Sequence, residues 1–166
     1  MQRINWFPDP NITGTAKPVA GNNTRIDYPV VNHRNWLRAT STATGDNYAQ
    51  YILAGSQLPP AGSYHVHTVA YAQKATADFQ IYVRVDGTYR MLLDVPVDDR
   101  RTITIDQNIT IPSNIDQMLV RISLGRETVG MIGMMSDILI ERADTYDAAV
   151  GGGLPGFFTG DTMPLD

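Results

Sequence analysis

ADFQIYVRVDGTYRMLL, residues 77–93, is the stretch that decides the fold of this chain. Its first half places an apolar side chain at every second position, the period of a β-strand that buries one face. These side chains are Phe79, Ile81, Val83 and Val85. Asp86-Gly87 then interrupts the alternation, and Asp-Gly between two strand-like runs favours a two-residue hairpin turn. The stretch therefore predicts an antiparallel strand pair with one buried face.

Similar strand-like runs recur along the rest of the chain, at residues 35–42, 47–53, 63–72, 101–111, 118–124 and 129–142. The 14 glycines and 10 prolines supply frequent chain breaks, and the 18% of charged residues is below the roughly one quarter of a typical globular domain. Many short strands at regular spacing are typical of an all-β sandwich or barrel. We predict about eight antiparallel strands and almost no helix.

The domain organisation follows from length and from a change in composition near the C-terminus. A chain of 166 residues corresponds to one domain, which we place at residues 1–147. Residues 148–166, AAVGGGLPGFFTGDTMPLD, have no strand or helix period. Because Phe157 and Phe158 are adjacent large aromatics, we expect this irregular tail to dock on a surface.

Charge and composition exclude several classes of partner. Thirteen Lys and Arg against 17 Asp and Glu give a net charge of -4, which argues against nucleic acid. No apolar run reaches the roughly 18 residues of a membrane span, so we expect no membrane insertion. The N-terminus MQRINWFPDP has no signal-peptide pattern, and we expect a chain that is made soluble in the cytoplasm. Cysteine is absent, which removes disulfides and thiolate sites.

Catalytic motifs do not emerge from the sequence. There is no G-x-S-x-G elbow, and Gly151-Gly152-Gly153 lacks the lysine and helix start of a phosphate loop. Glu127 and Glu141 are the only glutamates. His65 and His67 lie two apart on a strand and share one face, but with no third ligand nearby they read as ordinary histidines. We predict a protein that is not an enzyme.

Aromatic side chains are the better functional candidates, because a flat ring can stack on the apolar face of a sugar. The candidates are Trp36, Tyr48, Tyr51, Tyr82 and Tyr89, although most aromatics fill a core. Tyr82 stands on the strand face opposite the apolar one. We predict a ligand-binding set of five residues, Trp36, Arg38, Tyr82, Arg84 and Tyr89.

Three short motifs occur in order along the chain. They are INWFPDP at residues 4–10, LPPAGSY at 58–64 followed by Val69-Ala70-Tyr71, and SDILIE at 136–141 after Gly130. Together they resemble the jelly-roll carbohydrate-binding modules of the cellulose- and xylan-binding type. The resemblance implies a jelly-roll-like antiparallel sandwich. It also implies a calcium site in which Asp137 would be a ligand, while Thr13 stands where the second acid would be. We expect no cofactor, with a structural calcium ion left open.

The C-terminal sequence contains IERA at residues 140–143, then Tyr146, then GFFTGDTMP at 156–164. This series is similar to the ending of minor tail proteins of bacteriophages. It implies a virion protein of the tail or tail tip, in contact with other virion proteins, in several identical copies, and with host cell-surface polysaccharide as a further candidate partner. Phe157, Phe158 and Asp161 would then form an assembly strap.

Two alternatives remain open at this point. A capsid decoration or assembly protein could use the same sandwich for protein contacts. A polysaccharide hydrolase would need a pair of carboxylates in a cleft, and the scarcity of glutamate argues against it.

Overall fold

The alternation of apolar and polar residues produces two five-stranded antiparallel sheets in the computed structural model, which describes residues 2–160 and 162–164. The strands of this described part are β1 Gln2–Ile4, β2 Val19–Ala20, β3 Thr24–Asp27, β4 Val30–Val31, β5 Arg34–Asn35, β6 Leu37–Ser41, β7 Asn47–Leu53, β8 Gly62–Gln73, β9 Ala77–Val85, β10 Thr88–Val97, β11 Thr102–Ile111, β12 Ile115–Leu124, β13 Ile132–Arg142 and β14 Thr162–Pro164. A 3₁₀ turn, Gly55–Gln57, and one α-helix, α1 Ala143–Gly151, complete the elements.

Sheet I has the strand order β10-β9-β12-β7-β2, and sheet II has the order β11-β8-β13-β6-β3. The two remaining pairs, β1 with β14 and β4 with β5, are two-stranded. The eight strands from β6 to β13 are the eight predicted from the sequence, so the all-β antiparallel sandwich is confirmed. The other six strands have two to four residues each, too short to show a period.

The core lies between the two sheets and is made by the predicted apolar positions. Phe79, Ile81 and Val83 of β9 have no exposed surface. From sheet II, Val66 and Ile140 pack into the same cluster. Each such side chain stabilises the fold by about 1.5–3 kcal/mol relative to an exposed one. The predicted buried face of β9 is confirmed.

The hairpin turn between β9 and β10 also forms as expected. Asp86 and Gly87 both have positive φ, 50° and 75°. Positive φ at both central residues defines the type I′ turn, whose twist matches that of paired strands. This turn sets the register Thr88↔Val85 and Tyr89↔Arg84, so it decides which side chains of β10 lie beside those of β9.

The C-terminal segment packs on the sandwich instead of extending from it. Helix α1 runs from Ala143 to Gly151, so it crosses the boundary that we predicted at 147/148. β14 then pairs antiparallel with β1, with Arg3 opposite Met163. One short helix agrees with the expectation of almost no helix, and the sequence did not locate it because it gains its stability from packing and not from a period of its own. With nine residues, α1 does not approach the length of a bilayer-spanning helix, and no other helix of the described residues does either.

Candidate ligand-binding face

The outward side of sheet I presents tyrosines, two arginines and amides where solvent-facing residues are expected. Because side chains alternate along a strand, burying one face of β7, β9 and β12 turns the intervening residues outward. These are Tyr48 and Gln50 of β7, Gln80, Tyr82 and Arg84 of β9, and Arg121 of β12, joined by Tyr89 of β10. We call this set the tyrosine–arginine face.

Strand pairing places the members of this face side by side. Arg121 lies opposite Gln80 on one side and Gln50 on the other, while Tyr89 lies opposite Arg84. A row of polar side chains therefore crosses three central strands of the sheet. Neighbouring positions of this kind are within side-chain contact distance.

Arg121 is the centre of the face. Its guanidinium carbon lies 4.3 Å from the ring centroid of Tyr48 and 5.2 Å from that of Tyr82. Its Nε and Nη2 donate hydrogen bonds to Gln50 Oε1 at 2.8 and 2.6 Å. Nη1 has no acceptor within the described part of the chain. Arg121 is thus held in position by two rings and one amide, with donors left over.

An open groove of about 390 Å³ adjoins this arginine. Tyr48, Gln80, Tyr82 and Arg121 line it, together with Asn47 and Ser123. Arg126 and Asp46 also line it and form an ion pair with each other. The groove therefore combines two aromatic rings with several hydrogen-bond donors and acceptors, a combination that suits a polar ligand with flat apolar surfaces.

A hydrogen-bonded chain continues from the groove toward the sheet edge. The Tyr82 hydroxyl donates to Gln80 Oε1 at 3.3 Å, and Gln80 Nε2 donates to Asp94 Oδ1 at 3.0 Å. Burial, and then the nearby negative charge of Asp94, raise the pKa of Asp78 above its usual range. Two carboxyl groups therefore border the face on the β9–β10 side.

The far end of the face holds the other predicted residues. Arg84 donates from Nε and Nη2 to the two carboxylate oxygens of Asp116 at 2.8 and 2.9 Å. Tyr89 is 47% exposed and donates to Gln117 Oε1 at 2.6 Å. Tyr82, Arg84 and Tyr89 are thus brought together on one surface.

Trp36 and Arg38 do not join them, so the structure does not bring the five predicted residues together on one face. Both belong to the sheet II side of the sandwich, across the core from Tyr82. Trp36 is only 6% exposed and packs with Val69 and Met134. Arg38 donates to both carboxylate oxygens of Asp27, its partner on β3. The sequence could not assign either residue to a sheet because sheet membership depends on which distant strands pair.

Asp137, the expected calcium ligand, is held by an arginine. It lies at an irregularity of β13 with a φ of 52°, and its Oδ2 is 2.9 Å from Arg34 Nε. Thr13 donates from its hydroxyl to Asp9 Oδ1 at 2.8 Å. No group of three or more His, Cys, Asp or Glu side chains suited to a metal occurs in residues 2–160 and 162–164. Asp137 is therefore paired with an arginine here, and the structural calcium ion stays a prediction.

The expected strap residues contact their own sandwich. Phe157 stacks on His67 at 5.7 Å between ring centroids, and Phe158 lies 4.6 Å from the guanidinium carbon of Arg3. Tyr146 of α1 stacks on His65 at 3.6 Å. Asp161 lies outside the described residues. The two histidines do share one face, as the alternation predicts, and both contact the Asp106 carboxylate.

Sequence reasoning left out Arg121, Gln50 and Gln80, and it considered Tyr48 without selecting it. The alternation in Met118–Leu124 already turns Arg121 outward. What the sequence lacked was the order β9-β12-β7, which places Tyr82 and Tyr48 on either side of that arginine.

Comparison with solved structures shows the same architecture in proteins of low sequence identity. The C-terminal family 22 carbohydrate-binding module of Clostridium thermocellum Xyn10B is 15% identical, with a TM-score of 0.64 over 84% of this chain and 94% of that chain. The fold is that of carbohydrate-binding modules. The jelly-roll expectation is therefore confirmed.

Two further structures agree with this assignment. The xylan-binding domain of Paenibacillus barcinonensis Xyn10C is 12% identical, with a TM-score of 0.60 over 85% of this chain and 92% of that chain. TmCBM61 in complex with beta-1,4-galactotriose is 13% identical, with a TM-score of 0.56 over 83% and 98%. No protein-family model and no curated protein matches the sequence. At these identities the likeness establishes the fold alone.

Proposed function

We propose that this domain is a non-catalytic module that binds polysaccharide on the tyrosine–arginine face. The observation that carries the proposal is the position of Arg121 between the rings of Tyr48 and Tyr82, beside an open groove. The carbohydrate-binding fold supports it, and the neighbouring structures include a xylan-binding domain and a complex with a β-1,4-linked galactose oligomer.

The physical basis is the amphipathic nature of a pyranose ring. Its C–H face packs on an aromatic side chain, while its hydroxyls need donors and acceptors at the rim. Tyr48 and Tyr82 supply the rings, and Arg121 Nη1 supplies free donors. Because Gln50 already holds the guanidinium, little side-chain entropy is lost when a sugar binds.

The spread of aromatic rings over several strands of sheet I favours a chain over a single sugar. Tyr89, on β10, continues the row of rings on the same surface as Tyr82. We therefore expect affinity to rise with the length of the oligosaccharide until both Tyr48 and Tyr89 are reached.

The experiment is affinity electrophoresis in gels that contain soluble xylan or β-1,4-galactan, followed by calorimetry with oligomers. Tyr82→Ala and Arg121→Gln should each weaken binding at least about tenfold, as expected for central Tyr and Arg residues of an interface. Tyr28→Ala is the matched control, because Tyr28 is 40% exposed and precedes β4, away from this face. Unretarded migration in both polysaccharides, or equal losses in Tyr82→Ala and Tyr28→Ala, would overturn the proposal.

A separate experiment tests whether the domain lacks hydrolase activity. The raised pKa of Asp78 beside Asp94 is the feature of this face that a hydrolase could use as an acid. The same incubations are therefore assayed for new reducing ends. We expect none above a protein-free blank, and their release by the parent but not by Asp78→Asn would show an enzyme.

A more specific proposal, that the protein is a tail or tail-tip protein of a virion, rests on residues 140–164 alone. The departures from the phage ending, Thr159 in place of aspartate and the glycines before Phe157, weaken it. It would place the polysaccharide on a host cell surface and other virion proteins around the sandwich. Mass spectrometry of purified particles of the encoding phage tests it, since peptides of this chain should copurify with tails and not with heads.

A further inference from the structure

Arg121 differs from every other buried or half-buried arginine of the described chain, because no carboxylate neutralises it. The others each form an ion pair: Arg3 with Glu141, Arg34 with Asp137, Arg38 with Asp27 and Arg84 with Asp116. Arg121 instead donates to the amide oxygen of Gln50, a neutral acceptor that is itself only 7% exposed. Charges that are withdrawn from water are ordinarily paired. This guanidinium therefore lacks the counter-charge that its surroundings would favour.

The groove beside Arg121 has a net positive charge. The charged side chains that line it are Asp46, Arg121 and Arg126. Asp46 and Arg126 form an ion pair with each other, so the charge of Arg121 remains. Asp78 of β9 and Asp94 of β10 border the face, but neither forms an ion pair with Arg121 within the described part of the chain. The groove thus offers one uncompensated cation to a ligand.

The remaining edge of this guanidinium has the geometry of a carboxylate-binding fork. Gln50 Oε1 occupies the edge formed by Nε and Nη2, which leaves the edge formed by Nη1 and Nη2. The buried side-chain nitrogens and oxygens of the described chain that have no partner are Trp36 Nε1, Thr40 Oγ1 and Tyr51 Oη. Nη1 of Arg121 is not one of them, so it keeps accessible surface on the outer side of sheet I, where Arg121 lines the groove. Two parallel N–H groups of an arginine match the two oxygens of a carboxylate.

We propose that the groove prefers a polysaccharide with uronate residues, and that a sugar carboxylate pairs with the Nη1–Nη2 edge of Arg121. This preference rests on the proposed polysaccharide-binding function and names the class of sugar that the groove selects. The carboxylate supplies the missing counter-charge, while Tyr48 and Tyr82 contact the C–H faces of the sugars. The net charge of -4 on the whole chain does not oppose this, because charges beyond about 8 Å are largely screened at physiological ionic strength.

The test is calorimetry with oligosaccharides that differ only in their carboxyl groups. Xylotetraose with a glucuronate branch is compared with the same molecule after reduction of the carboxyl group to an alcohol, and tetragalacturonate is compared with its carboxyl-reduced form. In at least one pair the acidic member should bind about tenfold more tightly, the contribution of a charge-assisted hydrogen bond. The pair that shows the preference distinguishes a uronate branch from a uronate backbone. The preference should shrink as NaCl is raised from about 0.01 M to about 1 M.

Three substitutions test whether Arg121 is the source of the preference. Arg121→Gln removes the charge and should remove the preference. Gln50→Glu keeps Arg121 and both tyrosines but places a carboxylate where the guanidinium already donates, so it should remove the preference too. Arg25→Gln is the matched control, because it removes the same charge from an exposed position of β3 in sheet II and should retain the preference of the parent.

The inference fails if the acidic and neutral members of both pairs bind the parent equally. It also fails if Arg121→Gln or Gln50→Glu keeps the preference, or if Arg25→Gln loses it to the same extent. In each of these cases oligosaccharides still bind, so the domain would remain a polysaccharide-binding module without selection by Arg121. If no oligosaccharide of either kind binds the parent, the proposed function itself fails.

Discussion

The strongest test of how the C-terminal segment is held is the charge-removing substitution Glu141→Gln. Arg3 and Glu141 have no exposed side-chain surface. Arg3 Nε donates to the two Glu141 oxygens at 2.9 and 3.1 Å, and Nη2 donates to Oε2 at 2.7 Å. Arg3 Nη1 also donates to Pro155 O at 2.6 Å. This one guanidinium therefore links β1, β13 and the segment after α1.

The size of the stability loss in Glu141→Gln follows from the burial of both side chains. Glu141→Gln keeps the side-chain shape but leaves the Arg3 charge buried without a counter-charge, which costs about 3–5 kcal/mol. At about 2–4 °C per kcal/mol for a chain of this size, the Tm should fall by on the order of 10 °C. Replacing both partners, as Arg3→Met with Glu141→Leu, should recover most of the loss, because an apolar pair is often as stable as a buried ion pair.

The assay is calorimetry together with urea unfolding. The matched control is Asp144→Asn, which breaks the neighbouring but exposed pair with Arg142 and should leave the Tm of the parent unchanged. Chymotrypsin cleavage at Phe157 should also be faster in Glu141→Gln, since Arg3 anchors Pro155. A Tm within about 2 °C of the parent would refute the reasoning, given the scale of the expected loss.

Two further predictions concern other parts of the sandwich. Tyr51 is 2% exposed, and its hydroxyl has no partner within the described residues, so Tyr51→Phe should raise the Tm by roughly 2–6 °C in calorimetry; a decrease would show that the hydroxyl is satisfied in solution. The hydrogen bond from Arg38 holds the pKa of Asp27 below its usual value of 3.8. Because the pKa of Asp27 is lower in the folded state, its carboxylate stabilises the fold above pH 3.8, and this stabilisation is lost as the pH falls through the folded-state pKa. Asp27→Asn should therefore destabilise the protein at pH 7 and progressively less below pH 3.8. A Tm difference that stays constant from pH 7 to pH 2.5 would contradict it.

Local sequence predicted the strands because each carries its own period. The buried set of β9, its turn at Asp86-Gly87 and the shared face of His65 and His67 all depend on neighbours within a few residues. Helix α1 escaped prediction because a helix of this length has little stability of its own.

The tyrosine–arginine face was only partly predictable for a different reason. Tyr82, Arg84 and Tyr89 could be grouped from the sequence because one hairpin holds them. Trp36 lies on the side of sheet II and Arg121 lies beside Tyr82, and both positions depend on which distant strands are neighbours.

The sequence by itself determined which side chains of each strand point inward, because strand periodicity is fixed by covalent geometry. It thereby determined a sandwich with a buried core and two outer surfaces. Only the tertiary structure decided which outward residues meet, since the order of strands in a sheet is set by pairing between segments far apart in the chain. That order sets Arg121 between Tyr48 and Tyr82, and leaves Trp36 beneath a hairpin on the other side.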